Sequence, residues 1–231
     1  MVVTSLAKRL AALLPQTTQQ ELKRRRYQRE IAGSTFRTDE PEWELAAQWL
    51  SPGDWAIDVG ANIGHYTKRF SELVGATGRV IAFEPVPATF ELLAANAARF
   101  SCANVTLLNL AASDTTAPVR MSVPQFDTGL TNYYQAAIQA AGGDIAVLAC
   151  AIDSLRLAQP VRLLKIDAEG HDAVALRGAC ALLERDHPVV VIESVTAEVS
   201  EMMASMGYSE DRLKGSSNTI YRHSPSLEER R

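Results

Sequence analysis

Three short stretches hold residue types able to do chemistry. Residues 58–64 read DVGANIG, with Asp58 followed by Gly60, Asn62 and Gly64. Glycine has no Cβ, so the chain can turn sharply there and a ligand can approach the backbone where a helix begins. An acid at the start of such a turn suits a ligand with a positively charged centre. Glu84 ends a second apolar run, residues 80–83, and its carboxylate can accept both hydroxyls of a ribose. Residues 165–172 read KIDAEGHD and crowd Asp167, Glu169 and His171 together. His171 has the side chain best suited to take a proton near neutrality, while Asp167 or Glu169 could orient a hydroxyl or raise the imidazole's pKa. A plainer reading stands beside each: Asp58 as a helix cap, Glu84 as a solvated strand end, and Asp167 as the cap of a helix that Glu169 begins.

Positioning these groups requires strands that end beside one another. Residues 55–57 form an apolar run and residues 65–73 read as helix, so the order is strand, glycine turn, helix. A dinucleotide fingerprint would need a third glycine where Asn62 stands, which disfavours a pyrophosphate ligand. A positively charged centre together with a ribose instead fits S-adenosylmethionine. Further strands are expected at 105–110, 161–166 and 188–192, with helices at 88–100, 173–185 and 196–206. In the strand VRLLKI, Arg162 and Lys165 are the residues expected outside the buried set. The Val199, Met202, Met203, Met206 stripe reads as core.

This alternation predicts an α/β, doubly wound, Rossmann-like sheet of seven mostly parallel strands with helices on both faces. A late strand at 218–222 is expected to pair antiparallel at the sheet edge. Ligands then gather at the carboxyl ends of the strands, which adds Ser113 and Asp114 to the cofactor set, with Asp114 the candidate for the adenine amine. Residues 119–123 and 145–152 read as short strands around a loop, 124–143, containing Asp127, Gly129, Asn132, Tyr133 and Tyr134. Such a loop is either a lid over the acceptor or an insert whose tyrosines close the core edge.

With DVGANIG, the FEP of residues 83–85, the ASD of residues 112–114 and KIDAEGHD in this order, the chain resembles the FkbM family of class I S-adenosylmethionine-dependent methyltransferases over about residues 34–222. Ala168 and Asp172 stand where the family pattern more often has Val and Glu. The resemblance implies O-methylation of a hydroxyl on a sugar, glycolipid or polyketide-like natural product. Two other readings stay open: an RNA methyltransferase, and a cofactor-binding interaction protein without turnover. The divalent-metal requirement is open as well.

At 231 residues and 47% hydrophobic content the chain can bury a sizeable core. A net charge of −4 gives no general attraction to nucleic acid. Cys102, Cys150 and Cys180 show neither CxxC nor metal spacing and read as reduced thiols, which points to the cytoplasm. No apolar run reaches the roughly 20 residues that span a bilayer. Residues 1–50 read as a helical extension, 51–223 as the methyltransferase domain and 224–231 as a polar tail. Within the extension, Leu6, Leu10, Leu13 and Leu14 share a helix face, and Lys23, Arg24, Arg25, Arg26 and Arg29 form a basic cluster. That cluster is either solvated or in contact with anionic lipid, phosphate or RNA.

Overall fold

A computed structural model describes residues 12–124, 136–139 and 142–224. Its main sheet contains β1 (Trp55–Val59), β2 (Arg79–Phe83), β3 (Val105–Leu108), β8 (Val161–Ile166), β9 (Val189–Ile192), β10 (Tyr208–Arg212) and β11 (Thr219–His223). Their spatial order is β10-β11-β9-β8-β1-β2-β3. The five strands from β3 to β9 run parallel, and β11 pairs antiparallel with both β9 and β10. This is the expected seven-stranded, doubly wound sheet. Strand order reverses at β1, between β2 and β8, so the carboxyl ends of these three strands frame the crevice where ligands bind in such folds.

Alternate residues of the central strands serve the two faces. Ile57, Val59, Ile81, Phe83, Leu164, Ile166, Val190 and Ile192 share one core with Leu176 of α5 (Asp172–Arg177), Leu183 of α6 (Cys180–Asp186) and Val199 and Met203 of α7 (Ala197–Ser205). Ala56, Val80, Leu163 and Val191 face the other core, with Tyr66, Phe70 and Val74 of α3 (His65–Val74) and Ala46 of α2 (Pro41–Trp49). Burial on both sides explains why these strands read as continuous apolar runs.

Four local differences from the sequence expectation have physical reasons. The strands expected at 119–123 and 145–152 are β5 (Ala117–Ser122) and β7 (Ile145–Ala151), which pair antiparallel in a second sheet of order β4-β7-β5-β6. That sheet includes β4 (Ala111–Ser113) and β6 (Ala137–Gln139), the latter inside the stretch read as loop. Tyr133 and Tyr134 lie outside the described residues. The helix expected at 173–185 is two helices with Gly178 between them, where a Cβ would fall 1.8 Å from the Ser113 carbonyl oxygen. Close approach of β4 to this turn therefore requires glycine. The late strand β11 is one place in from the edge, which belongs to β10. Charged Glu210, Asp211 and Arg212 hide β10 from an apolar reading and suit an edge that must not pair further. Lys165, expected outside the buried set, is only 2% exposed.

The N-terminal α1 (Gln16–Ala32) lies against α4 (Pro87–Ala97), with Tyr27 and Phe36 packed on Ile63 and Leu92. No helix among the described residues is long and apolar enough to cross a membrane.

Candidate active site

At the end of β1 the Asp58 carboxylate is fully buried. Thr67 Oγ1 donates to its Oδ2 at 2.5 Å, while Oδ1 has no hydrogen-bond partner among the described residues. Burial pushes this carboxyl above the usual carboxylate range, against the pull of the Lys165 ammonium. Gly60 follows with φ +71°, and a Cβ there would sit 1.8 Å from the Asp167 carbonyl oxygen. Gly64 has φ +97° and faces Leu93, whose Cδ1 would be 2.7 Å from an added Cβ. The two glycines thus differ: Gly60 lets the ends of β1 and β8 meet beside the pocket, and Gly64 lets α3 pack on α4.

Between them the backbone turns toward β2. Ala61 N–H donates to the Phe83 carbonyl at 2.9 Å, and Asn62 N–H donates to Glu84 Oε2 at 2.9 Å. Val86 N–H donates to Glu84 Oε1, also at 2.9 Å. Glu84 is 5% exposed, and burial pushes its carboxyl up to about 7 against these two backbone donors. Each oxygen keeps a lone pair for a ligand hydroxyl. Glu84 lines a cavity of about 100 Å³, partly open to solvent, together with Gly60, Asn62, Asp167, Glu169, His171 and an apolar wall that includes Phe83, Val86, Met121 and Ile138.

The third stretch closes the other side. Lys165 Nζ lies 3.0 Å from Asp167 Oδ2 and 4.8 Å from the centre of the Tyr66 ring. Burial works against this ammonium, yet Asp167 and Asp58 raise its pKa above the ordinary lysine value. Asp167 is also desolvated, but Lys165 and a hydrogen bond with Glu193 hold its carboxyl below the usual range. Glu193, just past β9, is correspondingly pushed up to about 8, by burial first and Asp167 second. Glu169 adopts φ +48°, with its carboxyl raised by burial and then by Asp167. Oxygens of Asp167, Glu169 and Glu193 lie within 4.8 Å of one another, close enough to hold a metal ion, although Lys165 already supplies Asp167 with a cation.

The turn itself is organised by Asp172, whose carboxylate accepts from Ala168 N–H at 3.4 Å and Gly170 N–H at 3.1 Å. His171 Nε2 lies 3.2 Å from Ser113 Oγ, and burial lowers the imidazole's pKa despite nearby Asp114. Ser113 and Asp114 do not line the cavity; Asp114 Oδ2 accepts from Arg177 Nε at 3.2 Å. The fold therefore gathers Gly60, Asn62, Glu84, Asp167, Glu169 and His171 around one space. Asp58 borders an adjoining recess with Glu40, Tyr66 and Lys165, and the two spaces share Gly60, Asn62 and Asp167. No site role for Lys165, Asp172, Tyr66 or Glu40 is expected from sequence. The lysine offers a signal, as a charge in the interior of a strand that is apolar apart from it and Arg162.

These residues fit S-adenosylmethionine. A buried carboxylate oxygen without a partner stands on one side of Gly60, and a backbone-held carboxylate with free lone pairs stands on the other.

The family profile for the methyltransferase FkbM domain matches residues 58–210. No curated protein sequence matches the chain. Among solved structures, the chain is similar to a methyltransferase FkbM from Methylobacillus flagellatus KT, with TM-score 0.54 and 17% identity over 75% of this chain; it spans only 44% of that protein. It is also similar to cofactor-bound Rv0187 from MTB, with TM-score 0.51, 17% identity, and coverage of 96% of this chain and 88% of that one. A putative rRNA-methylase from Clostridium thermocellum gives TM-score 0.50 and 13% identity over 80% of this chain and 95% of that one. At such identities the structures speak for the fold, and the profile speaks for the family. The chain belongs to the FkbM methyltransferase family, and its cofactor is S-adenosylmethionine.

Proposed function

We propose that this chain is an O-methyltransferase acting on a hydroxyl of a sugar, glycolipid or polyketide-like small molecule. The observation that carries this reading is the group formed by Asp167, Glu169 and His171 on the cofactor cavity, with Glu193 behind them against Asp167. When bound, the cofactor supplies an electrophilic methyl group. Glu84 receives its ribose hydroxyls, Asp58 attracts its positively charged part, and Gly60 and Asn62 present the backbone. Asp114 can reach an adenine amine if its pair with Arg177 opens, and a pair this exposed contributes little stability.

Methyl transfer to oxygen is an in-line displacement, so acceptor and methyl must be aligned while the hydroxyl proton is removed. His171, whose pKa burial lowers and which Ser113 steadies, would take that proton. Asp167, held ionised by Lys165, orients the hydroxyl, and Glu169 sits beside it. Acidic groups outnumber basic ones here, with Asp58, Glu84, Asp167, Glu169 and Glu193 against Lys165 and His171, so the site offers a polyphosphate acceptor little attraction. The free thiols of Cys102, Cys150 and Cys180 suit a cytoplasmic setting.

The test is transfer of labelled methyl to a panel of sugars, glycans and RNA, followed by pH profiles of kcat for His171→Ala, Asp167→Asn and Glu169→Gln. A positioned base contributes about 100- to 10,000-fold, so His171→Ala should lose rate on that scale and lose its acidic limb. Retention of both would pass the role to the carboxylates. Methylation of RNA alone would overturn the acceptor class.

A further inference from the structure

Outside the site, charge and exposed apolar surface coincide at one place. Residues 1–32 hold seven Lys and Arg against Glu21 and Glu30, in a chain whose net charge is −4. On α1, Leu22, Arg25, Arg26 and Arg29 are exposed at helical spacing, while Tyr27, on the side toward α4, is buried. Leu22 is 51% exposed and Leu13, just before the helix, is 81% exposed; with Leu14 they are three of the four exposed large hydrophobics among the described residues. The helix and the residues just before it thus present arginines and leucines together on a face that no other element among the described residues covers.

We propose that this face docks on an anionic lipid surface, with the arginines over the headgroups and Leu13, Leu14 and Leu22 entering the interface. Arginine guanidinium groups are attracted to acidic headgroups, and leucines beside them gain by leaving water. Arg24 and Arg25 pair with Glu21, and Arg26 pairs with Glu30, but these pairs are solvent-exposed and yield readily to a denser anionic surface. Lipid is favoured over RNA by the kind of apolar group on display. Single-stranded RNA is bound by stacking on exposed aromatic rings, whereas here the leucines are outside and the one tyrosine of α1 is inside.

The experiment is co-sedimentation of the full chain with phosphatidylcholine vesicles, with and without phosphatidylserine, beside capture of a single-stranded RNA oligomer. The expected result is retention on the phosphatidylserine vesicles alone, falling at least tenfold as salt is raised. Arg25→Glu with Arg29→Glu should abolish retention, and Leu13→Ser with Leu22→Ser should weaken it severalfold, each variant keeping the parent's circular dichroism and S-adenosylmethionine affinity. Absence of retention at low salt would overturn the proposal. So would retention indifferent to the leucines, or capture of RNA in preference to vesicles.

Discussion

Two sides of the same crevice hold their carboxylates in opposite ways. Around β1 and β2, Glu84 is bound by the N–H groups of Asn62 and Val86, and Asp58 by the Thr67 hydroxyl; the hydrogen bonds that fix each acid come from uncharged groups, with Lys165 adding only a charge near Asp58. Around β8 and β9, Asp167, Glu193 and Lys165 are bound to one another, so position and protonation depend on the group as a whole. The first arrangement is a rigid mould for a ligand whose shape does not change. The second couples an ionised carboxylate, a lysine and a carboxyl that holds its proton up to about 8, a group whose protonation can respond while a hydroxyl loses its proton. Cofactor side and acceptor side should therefore break differently.

The largest effect is expected where the two sides touch. Gly60→Ala would place a methyl 1.8 Å from the Asp167 carbonyl at a backbone angle unfavourable to alanine, whereas Gly170→Ala on the acceptor turn meets nothing within 4 Å, with φ +86° its only strain. The first should cost about 3 kcal/mol or leave the chain unfolded, and the second about 1 kcal/mol. Denaturant unfolding of both compares them directly, and equal losses would mean that the β1–β8 contact yields easily.

Lys165→Met comes next. Removing a buried ammonium leaves Asp167 and Asp58 facing each other without a cation, at an expected cost of about 3 kcal/mol. The loss should shrink as pH falls, because carboxylates stranded this way can take up protons. A deficit equal at neutral and acid pH would show that the lysine stem, rather than its charge, stabilises the strand.

What could be read in advance follows the same division. DVGANIG and FEP are local patterns in which apolar run, turn and acid are contiguous, so Gly60, Asn62 and Glu84 could be placed on the cavity from spacing alone. The parallel core strands were equally visible, because burial on both faces leaves uninterrupted Val, Ile and Leu. Lys165 was not, since what makes its burial tolerable comes from Asp58 and Tyr66, about a hundred residues earlier and adjacent only once β1 pairs with β8. Glu193 joins Asp167 for the same reason, through β9 beside β8. Gly178 looked like an ordinary helix position because the β4 carbonyl that excludes a side chain there is remote in sequence.

On the cofactor side, Glu84→Ala should weaken S-adenosylmethionine binding by about 1 to 3 kcal/mol, since a charged acceptor and its hydroxyl partners are lost together. Because burial sets this carboxyl at about 7, affinity of the parent should rise as pH passes upward through that value and be flat in the variant. Calorimetry at several pH values checks both statements, and an unchanged affinity would remove Glu84 from the ribose role.

The smallest effect belongs to the acceptor side and is visible only as a pH dependence. In the folded chain Glu193 holds its proton up to about 8, whereas its ordinary value is 4.5, so between those limits the folded state keeps a proton that the unfolded chain releases. Its contribution to stability is complete below 4.5 and is lost as pH rises through 8. Glu193→Gln keeps a hydrogen-bonding group toward Asp167 without the charge and should remove that decline. Solvent screens a half-buried group, so the variant should exceed the parent by only on the order of 1 kcal/mol above neutrality and match it in acid. Parallel stability curves for the two chains would mean that Glu193 and Asp167 do not share a proton, and the contrast between a rigid cofactor mould and a titrating acceptor wall would then rest on His171 alone.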